Sequence, residues 1–120
     1  ASAPDFTDWG RSEADKARLQ TGQTVFDENP YGPEPTPMYA KFWQDGQANR
    51  LLIGEIPIDC PVRLLHGKKD ADVPFQISEQ LAERLRSDDV QLILVNDGDH
   101  RLSRDCDIEL LISQVVDLFT

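Results

Sequence analysis

From residue 56 onward the apolar positions fall into two alternating periods. Residues 62–66 (VRLLH) and 90–95 (VQLILV) are short, nearly continuous apolar runs, the pattern of strands covered on both faces. Between them Ile77, Leu81 and Leu85 recur at helical spacing over 74–86, with Pro74 in the first turn. Beyond the second run, Ile108, Leu111, Ile112, Val115 and Phe119 mark one face of a final amphipathic helix, with Ser103 or Asp105 as its cap. Strand, helix, strand, helix is the order of βαβ units, so this half predicts parallel strands with flanking helices in an α/β arrangement.

The first half carries no such regularity. Pro30, Pro33, Pro35 and Pro37 punctuate 29–38 and forbid a long regular element there. A charged helix is predicted over 7–20, N-capped by Thr7 or Asp8, and a second short one over 38–47 carrying Phe42 and Trp43. The opening residues (ASAPDF) read as the end of a strand running into a loop, as in a chain cut out of something longer. The expected division is therefore 1–55, an elaborated insertion with the end of a preceding strand, and 56–120, a βαβα unit.

Composition narrows the partners. At 120 residues and 39% hydrophobic content the chain fits one modest domain. Twenty-two acidic against twelve basic residues give a net charge of −10, which repels phosphate backbones and anionic lipid heads, so neither nucleic acid nor a membrane is an expected partner. No apolar run approaches the roughly 20 residues that span a bilayer. Cys60 and Cys106 match neither a CxxC redox pair nor a zinc ligand set; they are expected to be buried free thiols. With no secretory signal opening the sequence, the expected compartment is the cytoplasm.

In a parallel sheet, reactive groups collect beyond the carboxyl ends of the strands. The loop after the first strand is HGKKDADVP and the loop after the second is NDGDHR. Adjacent strands would bring Asp70 and His100 to one edge, where a carboxylate can hold an imidazole in one tautomer and stabilise its protonated form. Asp72, in the same turn, is the nearest rival for the acid. Each residue also has a plain structural reading. Aspartates before a helix gain about 0.3–1 kcal/mol from its dipole, and His66 suits a strand-end structural role. Asp70, Asp72, Asp97 and Asp99 lack the twelve-residue loop and terminal glutamate of an EF-hand, so no metal is expected.

H-G-x-x-D-x-x-V-P after one strand and G-D-H after the next resemble the acid and base motifs of α/β-hydrolases, whose chain order also places acid before histidine. The run IPIDCPVRLLHG at 56–67, with Asp99-His100-Arg101, is similar to the branch containing a mitochondrial acyl-protein thioesterase and acyl-glucuronide esterase and its bacterial relatives. The resemblance covers most of the chain and is strongest from residue 56. It implies the carboxyl-terminal part of an α/β-hydrolase fold preceded by a cap-like insertion, with Asp70 as triad acid and His100 as base. The implied activity is serine hydrolysis of small-molecule carboxylic esters or thioesters, without cofactor.

The family's G-x-S-x-G nucleophile elbow is absent. Gly10-Arg11-Ser12-Glu13-Ala14 is a partial match that lacks the second glycine and follows no apolar strand, so Ser12 reads as a helix-start residue. Phe75 stands where relatives often carry tryptophan. The chain alone is thus expected to be inactive, with an unpaired sheet edge that takes the amino-terminal half of the same hydrolase or a second copy. The competing reading is a non-catalytic α/β binding or interaction module that shares the half-fold, since fold does not dictate function.

Overall fold

The structure, a computed structural model of residues 1–120, forms α1 (Glu13–Gln20), β1 (Val25–Asp27), β2 (Thr36–Met38), α2 (Ala40–Ala48), β3 (Val62–Gly67), α3 (Phe75–Arg84), β4 (Val90–Val95) and α4 (Asp105–Leu118). These divide into two compact units, one of Asp5–Arg50 and one of Ala1–Pro4 with Leu51–Thr120.

In the first unit the prolines leave room only for a short antiparallel pair, β1 with β2. Leu19, Val25 and Trp43 form its buried core, with Met38 packed against them. The indole N–H of Trp43 donates to the Thr7 carbonyl at 2.8 Å, so the ring is buried without an orphaned donor. Thr7 is itself buried and its hydroxyl donates to Gln47 at 3.0 Å; a Cβ at Gly46 would collide with the Thr7 side chain, which is why glycine stands there inside α2. Thr7 therefore caps nothing. Residues 4–10 are a run of turns, with Asp5 and Gly10 both at positive φ, so α1 starts only at Glu13, and Ser12 Oγ accepts the Asp15 N–H at 3.1 Å as its N-cap. Phe42 and Tyr39 lie exposed, Phe42 beside Phe6 with ring centroids 6.0 Å apart.

In the second unit β3 and β4 pair in parallel from Val62↔Val90 to Gly67↔Val95, so both strands end level. α3 connects them and packs on both, burying Ile77 and Ser78. Its end is held to the segment before β3 by a bridge between Ile56 and Leu85. β4 was expected to be covered on both faces, yet most of it is only half-buried: the sheet has two strands, and one helix cannot shield both surfaces. The same cause leaves Ile108, Leu111, Ile112 and Val115 of α4 exposed, and Phe119 lies just beyond the helix end, 86% exposed. Neither Ser103 nor Asp105 caps α4; Arg104 is the N-cap, and the Asp107 carboxylate accepts its N–H at 3.2 Å. Both cysteines are exposed instead of buried, Cys60 in the irregular segment before β3 and Cys106 in the first turn of α4.

Trp43→Ala is expected to destabilise the first unit by about 3–5 kcal/mol in urea denaturation, since it opens a cavity and orphans the Thr7 carbonyl. Phe42→Ala, on an exposed ring, is expected to stay within about 0.5 kcal/mol.

Candidate active site

The level ends of β3 and β4 release two loops side by side. Gly67 and Gly98 let them touch: a Cβ on Gly67 would run into the Gly98 and Asp99 carbonyls, and one on Gly98 into Leu102 and the Gly67 Cα. Backbone bonds then stitch the loops together, Lys68 N–H to Val95 O and Lys69 N–H to Gly98 O, each at 2.9 Å.

Asp70 and His100 meet across this seam. The His100 Nδ1 lies 3.0 Å from Asp70 Oδ2 and 3.1 Å from Oδ1. A carboxylate only accepts, so Nδ1 carries the proton and the Nε2 lone pair of the neutral ring is left facing away from Asp70. The Asp70 side chain is almost wholly buried, while that of His100 is 44% exposed. Asp70 Oδ1 also accepts the N–H groups of Asp72 and Val73 at 2.8 Å each, which closes the turn around the carboxylate. Burial pushes the Asp70 carboxyl up, but the Val73 N–H, the His100 ring and the Asp72 N–H together outweigh it and hold the group below its ordinary 3.8. Asp72, the rival, is exposed; its Oδ2 is 3.8 Å from the other ring nitrogen of His100, beyond hydrogen-bond reach.

His66 is fully buried beneath this turn, between Ser78 and the Val73 carbonyl. His100 rides on a turn whose brace is Asp99, the carboxylate of which accepts the Leu102 N–H at 2.9 Å; Leu102 itself sits at φ 45°, a conformation leucine rarely adopts. Asp97 belongs to a different network. Arg104 holds it bidentately at 2.9 and 3.1 Å and also holds Asp107, tying the loop after β4 to the start of α4. Hydrogen bonds from Arg104 lower the carboxyls of Asp97 and Asp107. Asp97 and Asp99 thus serve the loop and helix start as hydrogen-bond acceptors, and the three-residue spacings Asp99 to Leu102 and Arg104 to Asp107 are their local signal in the sequence. Ser78 had no such signal.

Asp70, Asp72 and His100 could each offer one donor atom to a cation, all within 4.8 Å of one another. Asp70 has already spent its oxygens on two backbone N–H groups and the imidazole. An open concavity of about 690 Å³ in the first unit is lined by residues such as Phe26, Asn29 and Pro33 and contains neither Asp70 nor His100. No helix is long and apolar enough to cross a membrane.

No family model matches the sequence. The chain is 49% identical over 77 residues to the mouse palmitoyl-protein thioesterase ABHD10, mitochondrial, and 44% identical over 77 residues to its human counterpart. The mouse match covers 64% of this chain but 26% of that protein, so the chain spans about a quarter of the length of the curated relatives it matches. Among solved structures, an Agrobacterium vitis protein described as a hydrolase aligns at 38% identity with a TM-score of 0.82 over 98% of this chain and 46% of its own. The mouse alpha/beta hydrolase domain-containing protein 10 aligns at 36% identity and 0.81 over 98% and 49%. The expectation of a cytoplasmic location is overturned, because the matched curated relatives are named mitochondrial. Free cysteines fit any reducing compartment and do not distinguish one from another.

Asp70, Asp97 and Asp107 all titrate below 3.8 in the fold, so the stability they add is present above about pH 4 and lost as the pH falls through their lowered values. The urea midpoint of the chain is expected to fall between about pH 4 and 2. Arg104→Ala, which removes the partner of Asp97 and Asp107, should flatten that limb; an unchanged limb would mean the network contributes nothing.

Proposed function

We propose, from the premise that this chain is the carboxyl-terminal part of an α/β-hydrolase fold, that it supplies the acid and base of a serine hydrolase acting on carboxylic esters or thioesters. The observation that carries the reading is the Nδ1 of His100 at 3.0 Å from a buried, ionised Asp70, with Nε2 left for a nucleophile. The serine comes from residues outside this chain.

In this reading His100 Nε2 takes the serine proton as the serine oxygen attacks the acyl carbon, and returns it to the departing alkoxide or thiolate. Water, activated by the same nitrogen, then cleaves the acyl-enzyme and releases the acid. Asp70 holds the ring in the productive tautomer and stabilises its charged form. Thioester cleavage is the preferred assignment, supported by the name of the curated relatives, and the same names support a mitochondrial setting. Residues 1–55 serve as the cap-like insertion and 56–120 as the catalytic half.

The bare edges of the β3–β4 pair and the exposed stripe of α4 support association with the amino-terminal part of the hydrolase, or of this chain with itself.

In the intact hydrolase, Asp70→Asn and His100→Ala are each expected to lower kcat about 10⁴-fold while the protein stays folded by circular dichroism. Ligand binding as the sole measurable property, unaffected by both changes, would point to a binding module instead. This chain by itself is expected to take no label from a fluorophosphonate probe; a labelled serine in the isolated chain would sink the assignment of the nucleophile to residues outside it.

A further inference from the structure

The proposed mechanism leaves two buried titratable groups unused, Asp107, which Arg104 holds, and His66. His66 is 0% exposed and lies at the end of β3, directly under the turn that presents Asp70. Its partners decide its protonation. The Val73 carbonyl, 2.8 Å from Nε2, can only accept, so Nε2 bears the hydrogen. Nδ1 is then a bare lone pair, and the Ser78 hydroxyl 2.6 Å away donates to it. No buried side-chain nitrogen or oxygen is left without a partner.

The donor end of this ring faces the catalytic acid twice over. The Val73 peptide that Nε2–H holds by its carbonyl gives its own N–H to Asp70 Oδ1 at 2.8 Å. Nε2 also stands 3.3 Å from Asp70 Oδ2, the oxygen nearest His100. A continuous series thus runs from the Ser78 hydroxyl through the His66 ring and the Val73 peptide to Asp70 and on to the exposed imidazole. An apolar residue of equal volume would fill the space, yet it would leave the Val73 carbonyl without its donor and the turn free to drift.

We propose that His66, kept in its Nε2–H form by Ser78 and Val73, is a positioning residue for Asp70, setting the angle at which the carboxylate meets His100. This rests on the proposed hydrolase function. Two conservative variants separate the two ends of the ring. His66→Gln places an amide N–H near the Nε2 position and keeps the donor; His66→Asn places its amide near Nδ1 and removes it.

In the intact hydrolase, His66→Asn is expected to lower kcat about 10- to 100-fold with KM little changed, and His66→Gln to recover most of that loss. Equal losses in both variants, or wild-type kcat in both, overturn the role. Should His66→Asn not fold, long-range ¹H–¹⁵N correlation on the wild-type protein still decides it, because an Nδ1–H or doubly protonated His66 is incompatible with the proposal. Asp70→Asn in the same assay separates the two readings. Turnover that survives Asp70→Asn brings down the hydrolase function and the His66 role together, whereas turnover lost in Asp70→Asn but indifferent to His66→Asn brings down the His66 role alone.

Discussion

The six-residue parallel register of β3 with β4 is the constraint on which everything else in the second unit rests. Because Gly67 pairs with Val95, both strands stop at one level and their loops leave side by side. Had the strands slipped by two residues, Asp70 and His100 would have parted by roughly 7 Å and no carboxylate would reach the ring. The glycine contact between the loops makes the register self-consistent. Only two backbones without Cβ atoms approach this closely, and the cross-loop bonds of Lys68 and Lys69 form as a result.

Above that frame the chemistry is held by polar groups that are buried but paired. Burying a carboxylate is unfavourable unless hydrogen bonds replace water, and Asp70 receives two backbone N–H groups and an imidazole in exchange. His66 and Ser78 satisfy each other beneath it. Such a network resists rearrangement, because moving any member strands another in a low-dielectric place. Rigidity of this kind holds the His100 ring in one orientation against Asp70.

The second unit carries exposed apolar surface on α4. A parallel pair is normally the interior of a wider sheet with helices on both faces, whereas here α3 packs on the strands and the apolar side of α4 stands open. Exposed apolar positions repeated along one helix face are unfavourable in water unless something covers them. The solved relatives, twice as long as this chain, have further chain available for that purpose.

How much of this was readable in advance depended on whether the controlling interaction was local. Strands at 62–66 and 90–95 and the α3 period follow from side-chain periodicity and turn residues within a few positions of one another, and β4 emerged with the boundaries its apolar run implied. Burial did not follow in the same way. An amphipathic stripe predicts a face that seeks cover, but whether cover exists depends on how many strands share the sheet, and so α4, β4 and both cysteines are more exposed than their sequence pattern suggested. The late start of α1 turned on Thr7 being drawn into a distant contact with Gln47 and Trp43. The Ser78–His66–Val73 series likewise joins residues from a strand end, a loop and a helix. Sequence alone determined the strand and helix periods of the second half; only the tertiary structure decided which side chains meet, because hydrogen bonds and burial depend on distances that chain separation does not encode.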